Sequence, residues 1–527
     1  MQHLLTLSDS VASHARLQPG KLAARDSRRA LTFAQLDERA SRLANALLAS
    51  GLVKGDRVAL LAHNCIEWME IYVALARAGL VAVPINFRLL AAEIAYIVSH
   101  SGAAAVIAQQ GLHERIVETR SQLGLPPDRT IHFGGPCPEG WQSYEERIES
   151  ASAALPDVAV GPEDIFALMY TSGTTGHPKG VIRSHSGNAL LALCTALEFG
   201  FSADDTALLV MPMCHANSLY FALTFASLGG TVVVDDRAHF DPEALLATLA
   251  RERVTFTSLV PTHYIMMLGL PAATRVRYDV RSVEKLLISS APARPETKRA
   301  ILEYFSNSGL YELYGSTEAG WVTLLRPKEQ AGRLGSVGRE WAGSGAIRLL
   351  GPDRREVPDG EVGELYSRTP YVFDGYWQDA AKTAEAFHGP WCSVGDMGRR
   401  DADGYIHLVD RKSNMIISGG ENVYPSEVEA VIGAHPKVKD VAVIGVAHAK
   451  WGEAVQAVIV LHEGEEASAA EIRDWCRQRM AGYKRPQGVQ FISDADMPRT
   501  ATGKILHRQL RDRFAAGTPV SPERPVD

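Results

Sequence analysis

Long apolar runs are missing from this chain. No stretch approaches the roughly 20 uninterrupted residues that a membrane-spanning helix needs, so no integral span is expected. The first residues, Met1-Gln-His-Leu-Leu-Thr-Leu-Ser-Asp9, carry neither a charged leader nor an apolar core, and do not read as a signal peptide. Cysteine is sparse: six, at 65, 137, 194, 214, 392 and 476, with no CxxC spacing. That usage reads as reduced thiols in the cytoplasm with no thiolate metal site. A long basic run is also absent, and 54 Lys+Arg against 61 Asp+Glu leave a net charge of −7. Nucleic acid and anionic membrane are therefore poor candidates as the main partner. The Walker A pattern is missing too. Lys179 follows Pro178 and precedes Gly180, where that motif needs Gly-Lys-Ser/Thr opening a helix. The final residues, 516–527, rich in Pro and polar groups, read as a flexible tail without a Ser-Lys-Leu address.

What remains suits a large α/β protein. At 527 residues the chain is long enough for several domains, and 46% hydrophobic with 22% charged residues is an ordinary globular balance. Strand-like runs at 56–62, 81–85 and 103–108 alternate with a helical pattern over 66–78 that ends at Gly79, the rhythm of βα units and a parallel sheet. Residues 120–160, rich in Pro, Gly and Ser, read as surface chain. Further strands are expected at 165–170, 206–212, 231–236, 255–260 and 283–288. Strands at 441–444 and 455–461 and a helix over 469–480 make a smaller α+β unit, with a capping box at Ser426 to Glu429.

Four stretches carry chemistry. Thr171-Ser-Gly-Thr-Thr-Gly-His-Pro-Lys-Gly180 follows a buried strand. Its glycines let backbone N–H groups approach an anion. The hydroxyls of Thr171, Ser172, Thr174 and Thr175 can donate to phosphate oxygens, and Lys179 adds a mobile cation. In Tyr311-Glu-Leu-Tyr-Gly-Ser-Thr-Glu-Ala-Gly320, Tyr314 offers a ring to stack on a base and Gly315 permits close backbone approach. Thr317 can bond a phosphate or carboxylate, and Glu318 is a hard oxygen ligand for Mg²⁺. Val409-Asp-Arg-Lys-Ser-Asn-Met-Ile-Ile-Ser-Gly-Gly420 and Pro498-Arg-Thr-Ala-Thr-Gly-Lys-Ile505 are the other two. His215 follows a strand end, where open α/β sheets place ligands.

These four motifs, in this order over residues 30 to 510, strongly resemble the adenylate-forming superfamily, which includes acyl-CoA synthetases. The resemblance implies an N-terminal adenylate-forming domain over 1–410, a mobile C-terminal lid over 411–515 and the tail 516–527. It implies that ATP or AMP is held by Thr171, Ser172, Gly173, Thr174, Thr175, Gly176 and Lys179. Ser290, Ala291 and Pro292 cover one adenine face, with Ser290 standing where the family usually has Gly. Glu312 takes the adenine amino group; Tyr314, Gly315 and Thr317 complete the base and phosphate contacts. Asp396 takes the ribose hydroxyls and Arg411 the ribose or phosphate. Lys504, projected by a turn at Gly503, serves adenylation, and His215 moves between half-reactions. Ser413 stands at the hinge where relatives often have Lys or Asp. Ser418, Gly419 and Gly420 match the stretch lining a pantetheine tunnel.

The implied activity is a carboxylic acid–CoA ligase. ATP and Mg²⁺ give an acyl-AMP with release of pyrophosphate, and CoA then takes the acyl group. Alternatives are an enzyme that loads a carrier-protein thiol, a long-chain fatty acid–CoA ligase and a catalytically dead scaffold. Acyl-pocket candidates are His215, Asn217, Pro261, Thr262, His263, Gly320, Trp321 and Val322. The bulk of Trp321 favours a short, branched or aryl acid. A homodimer is the base-rate expectation.

Overall fold

A computed structural model describes residues 6–117, 124–171, 178–290, 293–418, 421–448, 451–500 and 503–515. Two compact units emerge: Met1–Ile347 with Ser367–Val394, and Arg348–Tyr366 with Gly395–Asp527. This division differs from a single cut at residue 410. The physical reason lies in the hairpin of strands Asp396–Arg400 and Ile406–Arg411, which pairs with Val362–Glu364. At its end, the Ser426 backbone N–H donates to Asp410 Oδ2 at 2.9 Å and the Ser426 hydroxyl donates to the Val409 carbonyl. The hairpin is thereby tied to the chain that follows it.

Among the described residues, two large sheets lie wholly within the first unit. One has nine strands in the spatial order Arg339–Glu340, Gly320–Leu325, Gly309–Ser316, Lys285–Ser289, Phe256–Leu259, Thr206–Leu209, Thr231–Val234, Leu22–Arg25, Ala30–Thr32. Its inner strands run parallel and its outermost pairs antiparallel. The other has eight, in the order Gly375–Tyr376, Lys179–Ser184, Ile165–Thr171, Val81–Ile85, Arg57–Leu61, Ala103–Gln109, Thr130–Phe133, Gln142–Ser143. A continuous core takes residues from both sheets, among them Leu60, Ile107, Val181, Leu209 and Leu313. Helix Glu67–Ala78 is buried on every side, as is nearly all of Ala216–Leu228. Ala216–Leu228 is apolar nearly all round, as a buried helix should be, whereas Glu67–Ala78 carries charges that need partners inside the protein. Burying Glu67 and Glu70 is tolerable because Arg28, Arg29 and Arg39 pair with them and the Tyr144 hydroxyl donates to Glu70.

The second unit is built on the long antiparallel pair Val438–His448 and Gly452–Leu461, flanked by helices Pro425–Gly433, Ala469–Arg477 and His507–Ala515. The α/β reading with a smaller α+β unit is borne out. Two local expectations are not. Residues 120–160 hold the fully buried strand Thr130–Phe133 and helix Tyr144–Ser150, because the short run Thr-Ile-His-Phe finds a parallel partner in Ala103–Gln109. The capping box also fails: Pro425 takes the first helical position and Tyr424 the cap. Ser426 is left to bond Val409 and Asp410, and Glu429 to accept from the Val443 N–H.

Burial of His185 makes the first unit less stable in acid. His185 packs edge-on to Phe166 with its Nε2 unpartnered among the described residues. Desolvation lowers its pKa to about 4, against the smaller opposing pull of Asp164. The folded pKa lies below the unfolded one, so stability is intact above about pH 6.5. It is lost as pH falls from there toward 4, by about 3 kcal/mol. Denaturant titrations between pH 7.5 and 4.5 should show a shallower loss in His185→Phe than in the parent; equal slopes would exclude His185 as a source.

Candidate active site

Strands Ile165–Thr171 and Lys179–Ser184 are antiparallel, with Thr171 opposite Lys179. The phosphate-loop motif therefore closes a hairpin, where a Walker loop would lead into a helix. Ser172, Gly173, Thr174, Thr175 and Gly176 lie outside the described residues, as do Ala291, Pro292, Gly419 and Gly420. One end of the loop meets the second motif directly, and the other lies over Tyr376, which bonds that motif. The Thr171 hydroxyl donates to Glu318 Oε1 at 3.4 Å, and the Tyr376 hydroxyl donates to the same oxygen at 3.0 Å. Lys179 Nζ sits 4.8 Å from the centre of the Tyr376 ring. The Phe373 N–H holds the Glu318 carbonyl at 2.7 Å. Tyr376 and Phe373 escaped sequence reasoning, although the aromatic-rich run Tyr371-Val-Phe-Asp-Gly-Tyr-Trp377 was the available signal.

Glu318 is only 8% exposed. Its Oε1 takes both hydroxyls and its Oε2 neither, which suits a hard cation that arrives with substrate phosphates. Among the described residues no cluster of three or more His, Cys, Asp or Glu could cage a metal by itself. One protein carboxylate plus phosphate oxygens is the usual arrangement for Mg²⁺.

The turn carrying Thr317 and Glu318 is a tight link between Gly309–Ser316 and Gly320–Leu325. A Cβ on Gly315 would stand 2.3 Å from the Gly320 carbonyl oxygen, so only glycine allows this approach. Glu312 and Tyr314 alternate onto one face of their strand. Glu312 meets Lys298, a buried partner that sequence reasoning missed. Ser290 has φ 68°, the left-handed region. Ser290→Gly is therefore expected to raise stability by about 1 kcal/mol, read from the urea midpoint.

Of the acyl-pocket candidates, Asn217, Gly320, Trp321, Val322 and Pro261 are buried. Asn217 Nδ2 donates to Ser289 Oγ at 2.9 Å, and its Oδ1 has no partner among the described residues. Trp321, 4% exposed, is packed solid: its indole N–H donates to Thr195 Oγ1 at 2.9 Å, and its ring lies against Tyr220, Phe221 and Trp341. Tyr220 in turn donates its hydroxyl to the Thr317 carbonyl at 3.3 Å. Thr262 and His263 belong to helix Pro261–Leu268, where His263 stacks on Phe240 at 4.0 Å. Desolvation lowers the His263 pKa to about 4. His215 caps helix Ala216–Leu228 from an accessible position, yet the mass of protein around its ring lowers its pKa as well.

The second unit brings its own candidates together. Asp396 and Arg411 are cross-strand neighbours, with Arg411 Nε donating to Asp396 Oδ1 at 3.1 Å. Gly503, at φ 82°, turns the chain so that the Thr500 N–H donates to the Lys504 carbonyl at 2.7 Å. The Lys504 side chain keeps an open face to solvent. Even so its ammonium is lowered, first by desolvation and then by Arg411, against the pull of Asp396 and Asp410. Lys504 thus shares one electrostatic neighbourhood with the expected nucleotide contacts. The Ser413 carbonyl accepts from Arg511 at 2.9 Å, and Ser418 is buried opposite Gly452.

Residues 11–377 match the family described as AMP-binding enzyme, and 427–504 match the AMP-binding enzyme C-terminal domain. A feruloyl-CoA synthase of an Amycolatopsis species is 37% identical over 95% of this chain and 97% of its own. A long-chain-fatty-acid–CoA ligase, FadD13, of Mycobacterium tuberculosis is 36% identical over 93% and 94%. The crystal structure of the anthranilate CoA ligase AuaEII with anthranoyl-AMP superposes with a TM-score of 0.88 at 28% identity, covering 98% of this chain and 99% of that one. No helix among the described residues is long and apolar enough to cross a membrane. The chain belongs to the AMP-binding enzyme family, and is an acyl-CoA synthetase of the adenylate-forming superfamily, an AMP-forming acid–CoA ligase.

Proposed function

We propose that the acid is a compact aryl carboxylic acid, activated as its acyl-AMP and passed to CoA. The observation that carries this reading is the packed ring cluster of Trp321, Tyr220 and Phe221 behind the Thr317 carbonyl, which leaves little length for an alkyl chain. Feruloyl and anthranilate ligases among the relatives support it; the long-chain relative supplies the second reading.

An acid carboxylate is already ionised, so its attack on the α-phosphorus needs no general base. Charge grows on the α-phosphate and on departing pyrophosphate, and the site must supply cations and N–H donors there. In this reading Glu318 would hold Mg²⁺, which would neutralise phosphate charge, while Thr171 and Lys179 donate to phosphate oxygens. Glu312 and Tyr314 take the base, Asp396 and Arg411 the ribose, and Lys504 serves adenylation. Ser418 contributes to the pantetheine path.

Pyrophosphate release with ATP and Mg²⁺, across acids from acetate through benzoate, anthranilate and ferulate to palmitate, tests the substrate. CoA-dependent turnover with aryl acids is expected. A preference for palmitate would overturn the aryl reading, and adenylation without CoA turnover would replace CoA by another thiol.

A further inference from the structure

Lys298 is among the most buried charges in the first unit, at 1% exposed. It lies on the inward face of helix Pro295–Tyr304, together with Thr297 and Ile301. Its ammonium donates to Glu312 Oε2 and to the Leu334 carbonyl. Glu312 is 6% exposed, on the strand that also presents Tyr314. A carboxyl group this deep prefers to keep its proton. Burial raises the Glu312 pKa to about 7 and Lys298 opposes part of that rise, which leaves the group ionised above neutral pH.

The ionisation state of Glu312 decides what it can recognise. A carboxylate only accepts hydrogen bonds, whereas a carboxylic acid also donates. The 6-amino group of adenine is a donor, while the 6-oxo group of hypoxanthine or guanine is an acceptor. We propose that Lys298 is a specificity-determining positioning residue: it holds Glu312 as an oriented, ionised acceptor, so that 6-amino purines are taken and 6-oxo purines refused. This rests on the reading of Glu312 as the contact to the base. A purely structural Lys298, pinning helix to strand, would alter stability and leave the choice of base alone.

The test compares kcat/KM for ATP and for ITP, with the best acid of the panel and saturating CoA. In the parent, ATP should be strongly preferred. Lys298→Met should lower the ATP-to-ITP ratio by about 10- to 100-fold, the scale of a hydrogen bond to a charged group. Most of the loss should appear in the KM for ATP. Lys298→Arg, which keeps the charge, should retain most of the ratio. Lys298→Gln provides a second neutral variant if the methionine protein fails to fold, and it must lower the ratio in the same way. Glu312→Gln separates the two ideas. If it collapses the ratio while folded neutral Lys298 variants leave it unchanged, the inference is overturned and the base contact stands. If neither position alters the ratio, Glu312 does not face the base, and both ideas fall.

Discussion

Lys504→Ala should slow acyl-adenylate formation by about 10²–10³-fold, the usual cost of losing one aligned donor to developing charge. The backbone that presents this lysine is fixed on both sides. Arg499 and Ile505 form an antiparallel bridge, Gly503 takes the left-handed turn, and the Lys504 N–H donates to Thr500 Oγ1 at 3.1 Å. Removing the side chain beyond Cβ leaves that frame intact, so the loss should be chemical and the fold preserved. Thioester formation from preformed acyl-AMP and CoA should be much less affected, because no charge then grows on a departing pyrophosphate. Measuring both half-reactions on one preparation decides the matter. Equal impairment of the two would remove Lys504 from adenylation.

Glu318→Gln should lower ATP-dependent pyrophosphate release by a similar factor, about 10²–10³. Glutamine keeps the size and one acceptor oxygen for the Tyr376 and Thr171 hydroxyls, so the local packing should survive. What disappears is the negative charge that would hold Mg²⁺. Two further consequences distinguish this from a folding defect. Thermal stability should change little, and the Mg²⁺ concentration for half-maximal rate should rise. An unchanged Mg²⁺ dependence together with an unchanged rate would show that the metal is held elsewhere. Tyr376→Phe offers a milder comparison. It removes the hydroxyl that orients Glu318 at 3.0 Å while keeping the ring under Lys179, and should give only a partial loss.

The candidate motifs are legible in the sequence because the chemistry they suggest is local. The Tyr314-Gly-Ser-Thr-Glu318 turn and the Gly503-Lys504 turn are each short enough for backbone geometry to be written in adjacent residues. Trp321 shows what that reading leaves to the fold, namely the rings that stack behind it. Its position beside the motif suggested a pocket wall. The strand pair Gly309–Ser316 and Gly320–Leu325 shifts register between Tyr314 and Gly315, and side-chain direction along a strand has a period of two. Such a shift is decided by how the two strands pair, and it helps set which layer receives the indole.

The sequence by itself determined the family, the α/β class and the residue types available for nucleotide chemistry, because turn-forming glycines and hydroxyl-rich loops act over a few residues. Only the tertiary structure decided which distant groups those residues meet. Tyr376 reaches Glu318 across 58 positions, and Lys298 reaches Glu312 because a helix lies over one particular strand. It likewise decided that Asp396 and Arg411 stand opposite one another, and that the hairpin carrying them is bound to Ser426. Each of these contacts depends on strand order and register. Those are set by the burial of many side chains at once, and no short window of sequence encodes them.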